Sequence, residues 1–175
     1  MSKVINVESI KLVPASRHPD LLAAPLQWSL DLWGEGKAEF TAEDWRNFYS
    51  RVLAADYENW NHESNDKELL YLATSEDETA IFGVIALCAF DDLEEFRHLK
   101  PWFCAFVVRE DLRGQGMGGQ ILAEMEKIAL QFGIETVYLW TEVELTFYQK
   151  RGYEKFEQLE KPNRLLHILR KSLAN

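Results

Sequence analysis

Residues 112–119, LRGQGMGG, combine one arginine with four glycines, and apolar residues at helical spacing follow them. A ligand can closely approach backbone N–H groups that no Cβ shields. At the start of a helix these groups also carry the positive end of the helix dipole. Arg113 adds a full positive charge at the entrance of the loop. The chemistry that this combination predicts is the binding of a phosphate group at the start of a helix.

Two kinds of phosphate ligand fit the loop. Gly114, Gly116 and Gly119 satisfy the G-x-G-x-x-G pattern of dinucleotide-binding folds, and Glu142 follows the next predicted strand. In such folds the strand runs almost directly into the first glycine, and a second parallel βαβ half follows. Here residues 109–113 intervene, and only a short helix and a hairpin follow. A nicotinamide oxidoreductase is therefore the less favoured alternative.

The hydrophobic pattern predicts the elements that must position this loop. Apolar runs rich in β-branched and aromatic residues predict strands, and i, i+3, i+4 spacing predicts helices. Hairpins turned at residues 76–78 and 161–163 exclude an all-parallel sheet. The predicted order is β-α-α-β-β-β-α-β-α-β-β, an α/β fold with a mixed sheet (α+β), in a single domain over residues 1–175. Strands are predicted over residues 4–13, 69–74, 80–90, 102–108, 136–141, 153–159 and 165–173.

The helix boundaries are predicted from their capping residues. Residues 18–20, HPD, should open the first helix, and Pro25 should kink or shorten it. Thr41 and Asp44 predict a capping box at the start of the second helix. A third helix should run from the glycines to residue 132, and a short fourth one should lie within residues 144–152. The apolar face of the second helix is predicted to comprise Trp45, Phe48, Tyr49, Val52 and Leu53.

The composition bounds the class of protein. With 47% hydrophobic and 27% charged residues, the chain is expected to be globular. No apolar run reaches the roughly 18 residues of a membrane span, and the N-terminal residues lack the apolar core of a secretory signal. A cytoplasmic protein is expected. The net charge of −10, without a basic stripe, disfavours nucleic acid as a partner.

The cysteines and histidines predict no metal centre. Cys88 and Cys104 both fall inside apolar runs, and we expect them to be reduced thiols in core strands. None of the four histidines has metal-ligand spacing or a nucleophile beside it in the sequence.

The motif Arg113-x-x-Gly116-x-Gly118, the strand before it and FYQKRGY at residues 147–153 resemble the Gcn5-related N-acetyltransferase (GNAT) superfamily. There, R/Q-x-x-G-x-G/A binds the pyrophosphate of acetyl-CoA, and F-Y-x-x-x-G-F/Y follows strand five. The predicted order of elements is also that of the superfamily, so the resemblance covers nearly the whole chain. Residues 12–28 and KPW at 100–102 are similar, more weakly, to a branch of small members.

The resemblance implies an acetyltransferase that uses acetyl-CoA and an amine acceptor, by direct attack in a ternary complex. It places Phe106, Val107 and Val108 along the pantetheine, beside a strand splayed from its neighbour, with the Val107 N–H facing the carbonyl oxygen. Tyr148 matches the tyrosine that protonates the departing CoA thiolate, a proton transfer that a phenol can make. The residues expected over the pyrophosphate are Arg113, Gly114, Gln115, Gly116, Met117, Gly118 and Gly119.

Two positions depart from the superfamily pattern. Many relatives carry a general-base glutamate early in strand four, where this chain has residues 100–102, KPW. Glu144 stands where an amide side chain often faces the pantetheine; a carboxylate there can accept a hydrogen bond but cannot donate one. The base is unassigned: a chain of water molecules is one alternative, and five carboxylates are the others, Asp91, Asp92, Glu94, Glu95 and Glu142.

The distribution of charge bears on the acceptor. Residues 1–100 hold 9 Lys+Arg against 19 Asp+Glu, whereas residues 101–175 hold 10 of each kind. In the superfamily the first two helices and the loop before strand four wall the acceptor site, so a small-molecule or peptide amine is expected there rather than an acid. A non-catalytic CoA-binding module is the main alternative, and the protein is expected to be a monomer or homodimer. The acidic residues on these pieces are Asp31, Glu35, Glu39, Glu43, Asp44, Asp91, Asp92, Glu94 and Glu95.

Overall fold

A computed structural model describes residues 9–34, 40–63 and 68–174. The strands are β1 (Lys11–Pro14), β2 (Leu69–Thr74), β3 (Ile81–Cys88), β4 (Trp102–Val108), β5 (Thr136–Thr141), β6 (Glu154–Lys161) and β7 (Arg164–Ser172). The α-helices are α1 (Ala23–Trp33), α2 (Ala42–Arg51), α3 (Met117–Gln131) and α4 (Leu145–Gln149).

Within these residues the strands form one sheet in the order β1-β2-β3-β4-β5-β7-β6. All neighbouring strands are antiparallel except β4 and β5, which run parallel. The predicted fold class, a mixed sheet with the order β-α-α-β-β-β-α-β-α-β-β, is confirmed. The only parallel pair in this part of the chain is the one on either side of the glycine loop and α3.

The first helix begins later than predicted. Residues 15–17 and 19–21 form separate 3-10 turns, and α1 starts only at Ala23. The reason is Pro25, which has no N–H to donate and whose ring would clash with the carbonyl of the residue four before it. An α-helix can therefore hold Pro25 only in its first turn, which is the shortening that this proline predicted.

The capping box of the second helix forms as predicted. The Thr41 hydroxyl accepts a hydrogen bond from the Asp44 N–H at 3.1 Å, and the Asp44 carboxylate accepts one from the Thr41 N–H at 2.8 Å. Phe48 and Val52 of the predicted apolar face are buried, whereas Leu53 is exposed, because the α-helix ends at Arg51 and a 3-10 turn redirects the chain.

The first strand is confirmed only over part of its predicted length. Pairing with β2 covers Lys11–Pro14, and residues 4–8 of the predicted strand lie outside the described part of the chain.

Helices cover both faces of the sheet. On one face Ile121, Leu122 and Met125 of α3 are fully buried in the main core cluster. On the other face α1 and α2 pack on β2 and β3, where the Tyr49 hydroxyl donates to the Pro25 carbonyl at 3.0 Å. None of the helices in the described ranges is long and apolar enough to cross a membrane. β4 therefore lies between the α3 layer and the layer of α1 and α2.

Candidate active site

The parallel strands β4 and β5 separate soon after they meet. Among the described residues they share one register pair, Trp102 with Tyr138, and the Tyr138 N–H donates to the Pro101 carbonyl at 3.0 Å. β5 instead pairs along its whole length with β7. The rest of β4 therefore presents backbone groups to a gap rather than to a neighbouring strand, as the resemblance implied.

A bulge in β4 lies beside this gap. Ala86 of β3 pairs with Cys104, but Val84, two residues before it, pairs with Val107, three residues further on. The additional residue is accommodated at Ala105, whose φ of 50° lies in the left-handed region. No glycine or proline marks this position, so the sequence analysis did not find the bulge.

The alternation of the strand decides which N–H groups face the gap. The Arg109 N–H donates to the Phe82 carbonyl of the β3 edge at 2.8 Å. Since N–H groups two residues apart point the same way, the Val107 N–H also faces β3, and those of Phe106 and Val108 face the gap. This geometry argues against the expected role of the Val107 N–H and makes Phe106 the candidate donor to the carbonyl oxygen.

The glycine loop closes one end of the gap, and its glycines are required for two different reasons. Gly114 and Gly116 have φ values of 72° and 86°, which side chains with a Cβ rarely adopt. Gly116 caps α3. At Gly118 a Cβ would lie 3.3 Å from Phe147 Cζ of α4 and 3.5 Å from Val108 Cγ2 of β4. Gly118 is thus the point where β4, α3 and α4 converge.

The remaining loop residues differ in what they expose. Met117 is buried, so only its backbone faces outward, and Gln115 is exposed with its Nε2 donating to the Asp111 carbonyl at 2.8 Å. At Gly119 a Cβ would come within 2.8 Å of Arg151 Nε, so the missing side chain makes room for that guanidinium.

Arg113 links the loop to the gap. Its Nε donates to the Val108 carbonyl at 2.9 Å, one of the groups that the alternation turns away from β3. Within the described residues no carboxylate pairs with it. A full positive charge therefore lies between the glycine loop and β4.

Tyr148 is held on α4 by two aromatic neighbours. Its ring makes edge contacts with Phe147 and Tyr153, at centroid distances of 5.0 and 5.7 Å. The Tyr153 hydroxyl donates to Glu126 at 2.9 Å, whereas in the described part of the chain the Tyr148 hydroxyl has no hydrogen-bond partner. Burial, followed by the nearby charge of Glu144, raises the pKa of Tyr148. Its phenol therefore keeps its proton at neutral pH and can act as an acid.

Comparisons with known proteins agree with this geometry. The sequence model of the Acetyltransferase (GNAT) family matches residues 37–153, more than half of the chain. The protein belongs to the GNAT acetyltransferase family. The prediction of a GNAT-type N-acetyltransferase enzyme is thereby confirmed. A search among curated proteins returned no match.

Solved GNAT structures share the architecture. An aminoglycoside 6'-acetyltransferase type Ii superposes with a TM-score of 0.66 at 18% identity, over 95% of this chain and all (100%) of that one. Spermidine/spermine N-acetyltransferase SpeG from Vibrio cholerae gives 0.60 at 11% identity, over 95% and 94%. A GNAT acetyltransferase from Elizabethkingia anophelis with acetyl-CoA bound gives 0.59 at 17% identity, over 93% and 97%. At these identities the likeness establishes the GNAT fold.

In this GNAT fold the five candidate bases have different surroundings. Glu142 forms an ion pair with Arg164, with Nε 2.7 Å from Oε1, and Glu94 forms one with Arg97 at 2.7 Å. The remaining three behave differently: Glu95 and Asp92 are exposed, and Asp91 is partly buried.

Most other acidic residues of the GNAT acceptor walls are exposed or engaged locally. Asp44 belongs to the capping box, Asp31 accepts a hydrogen bond from Gln27 at 2.8 Å, and Glu43 is exposed in the first turn of α2. Glu35 and Glu39 lie outside the described residues. Exposed acidic residues therefore lie on α1 and α2 as well as on the loop between β3 and β4.

The two thiols of this acetyltransferase lie at the gap. Cys88 on β3 is buried and Cys104 on β4 is partly buried, with their Sγ atoms 2.7 Å apart. Burial raises the pKa of the Cys88 thiol. One oxygen of Asp91 and the two Sγ atoms lie within 4.8 Å of one another. That the enzyme needs no metal remains a prediction.

Proposed function

We propose that the protein transfers the acetyl group of acetyl-CoA to a small-molecule or peptide amine, by direct attack in a ternary complex. The observation that carries this proposal is the convergence at Gly118, where the glycine loop, the open edge of β4 and the helix that bears Tyr148 meet. A donor with its pyrophosphate on the loop would extend along β4 and present its thioester beside α4. The whole chain would act as one domain, as a monomer or homodimer in the cytoplasm.

The donor would be held by three kinds of contact. Backbone N–H groups of residues 114–119 and the charge of Arg113 face the pyrophosphate, with the dipole of α3 adding about 0.3–1 kcal/mol per anionic contact. The backbone of Phe106 and Val108 pairs with the pantetheine amides, while the Val107 side chain packs into the core. Glu144 at the start of α4 accepts from a pantetheine N–H.

The residues of the chain supply two parts of the chemistry. The Phe106 N–H stabilises the carbonyl oxygen of the thioester as negative charge develops on it, a preorganised contact typical of acyl transfer. The Tyr148 hydroxyl donates its proton to the departing thiolate and recovers one from water. In this proposal one thioester, bound in the gap between β4 and β5, reaches both groups.

The proposal is tested by binding and steady-state kinetics. Calorimetry should show micromolar-scale binding of acetyl-CoA and CoA and no binding of NADH. Acetyl-CoA and CoA should also raise the melting temperature in a thermal-shift assay, because a ligand at about 100 times its Kd stabilises the fold by about 2.7 kcal/mol. Initial rates with both substrates varied should give intersecting lines, as a ternary complex requires. Stabilisation by NADH but not by acetyl-CoA, or parallel lines in the kinetics, would contradict the proposal.

A further inference from the structure

We propose that Asp91 is the general base that removes a proton from the ammonium group of the acceptor. This inference rests on the proposed function and assigns the one role in it that the sequence left open. The glutamate that many relatives carry early in strand four is missing here, so a side chain that acts as the base would come from another element. The loop between β3 and β4 supplies it.

The position of the carboxylate is the first argument. One oxygen of Asp91 lies within 4.8 Å of the Sγ atoms of both Cys88 and Cys104. Cys104 directly precedes Ala105, the bulged residue of β4, and Trp140 of β5 faces the same carboxylate from the opposite side of the gap. Asp91 therefore reaches from its loop to the widening part of the gap, next to the backbone that would hold the thioester.

The lack of a cationic partner is the second argument. In the described ranges no Lys, Arg or His side chain forms an ion pair with Asp91, unlike Glu94 and Glu142. The indole N–H of Trp140 is near enough to lower the pKa of this carboxylate. Within the described residues, however, this N–H has no hydrogen-bond partner of normal geometry. A partly buried carboxylate without a cationic partner is a suitable site for an incoming ammonium group.

The charged and titratable groups around Asp91 all favour its neutral form or act elsewhere. Asp92 lies next to it on the loop, and the thiols of Cys88 and Cys104 face it from β3 and β4. On α2, Arg51 is bound to Glu68 at 2.8 Å, and its charge acts on Asp92 rather than on Asp91.

These surroundings suit Asp91 to the task. Burial, followed by the charge of Asp92, raises the pKa of Asp91 to about 8. A base whose pKa lies near the working pH, and close to that of an amine, combines a usable ionised fraction with enough strength to take the proton. Because Asp91 is only partly buried, its proton can then pass to water.

The proton and electron balance of the step closes without a further reactant. One N–H proton of the ammonium moves to the Asp91 carboxylate, which leaves a neutral amine with a lone pair. The nitrogen forms a bond to the thioester carbon, and the carbon–sulfur bond then breaks with its electron pair on sulfur. A second N–H proton leaves the new amide nitrogen for water, while Tyr148 supplies the proton of the thiol and regains one from water.

The kinetic test compares Asp91→Asn with a control, Glu135→Gln, which removes an exposed carboxylate between α3 and β5 that has no place in the proposed site. Asp91→Asn should lower kcat by about 10²-fold or more with an unchanged Kd for acetyl-CoA, and Glu135→Gln should change neither. Asp91→Glu should restore part of the rate. In the wild type kcat should rise with pH through an inflection, and this inflection should be absent from Asp91→Asn. Asp92→Asn should move the inflection to lower pH, because it removes a negative charge that repels the ionised form of Asp91.

A stability measurement tests the same residue without an acceptor. An Asp with a raised pKa keeps its proton in the folded state after the unfolded chain has lost it, so the fold loses stability as pH rises from about 4 to about 8. The Tm of Asp91→Asn relative to the wild type should therefore increase across this range. The Tm of Glu135→Gln relative to the wild type should not.

Two results separate the base from the proposed function. Full activity of Asp91→Asn with a wild-type pH profile, or a Tm difference that does not depend on pH, would overturn the assignment of Asp91 alone. A wild-type protein that acetylates no amine would overturn the proposed function and the base with it.

Discussion

At the level of single residues, the proposed protonation of the leaving thiolate depends on Tyr148. Its ring is fixed by Phe147 and Tyr153, and its hydroxyl is not used by the fold within the described residues. Tyr148→Phe should therefore keep the packing and the Kd for acetyl-CoA but lower kcat by 10²–10⁴-fold, or about 3–5 kcal/mol of barrier. Calorimetry and steady-state kinetics on the same preparation measure both quantities.

Tyr153→Phe is the matched control for this variant. The Tyr153 hydroxyl donates a hydrogen bond to Glu126 of α3, so its removal should lower the stability of the fold and leave kcat near that of the wild type. Equal kcat values for Tyr148→Phe and the wild type would return Tyr148 to a packing role.

Single residues also mark how far the sequence could predict the site. Arg113, Gly116 and Tyr148 were identifiable because their types and spacing form motifs. Asp91 stayed one of five candidate bases, since its sequence neighbours do not show that its carboxylate lies beside two thiols on other strands. The burial of a side chain and its contacts with other strands depend on residues that are far apart in the sequence.

At the scale of the element, the bulge in β4 gives the gap its shape. Ala105 has a φ of 50°, a conformation that costs an L-residue roughly 1–2 kcal/mol. Ala105→Gly should be nearly neutral, because relief of this strain is offset by the greater entropy of glycine in the unfolded chain. Ala105→Val should destabilise the fold by about 1–3 kcal/mol and weaken acetyl-CoA binding, since a β-branched residue resists this backbone.

Urea unfolding and calorimetry of the two variants, side by side, check this expectation. If Ala105→Val proved as stable as the wild type and bound acetyl-CoA equally well, the bulge would not be what holds the gap open.

The elements themselves were largely predictable. The bounds of β2, β4 and β5 agree with the predicted runs because each is a continuous apolar stretch flanked by polar or turn residues. The predicted start of α1 was wrong, because Pro25 prevents an α-helix from including the preceding turn and this effect outweighed the capping signal at residues 18–20. The bulge at Ala105 was missed because nothing in the residue type requires it.

At the scale of the whole molecule, the net charge of −10 bears on the choice of acceptor. Charges on exposed surfaces are screened over about 8 Å at physiological salt, so they steer a charged substrate more strongly at low salt. We expect kcat/KM for a cationic amine to fall as salt increases and that for a neutral amine of the same shape to stay constant. An acidic amine should be the poorest substrate of the three. A preference for acidic acceptors would contradict this expectation.

The most direct test of acetyl transfer follows the acetyl group itself. The purified protein is incubated with acetyl-CoA carrying a ¹³C-labelled acetyl group and a panel of small and peptide amines, and thiol release and product mass are measured together. Direct acetyl transfer predicts one labelled acetyl group on the amine nitrogen for each CoA released, with release dependent on the amine. Tight binding of acetyl-CoA with CoA release that no amine accelerates, and no labelled amide, would contradict it and favour a non-catalytic CoA-binding protein.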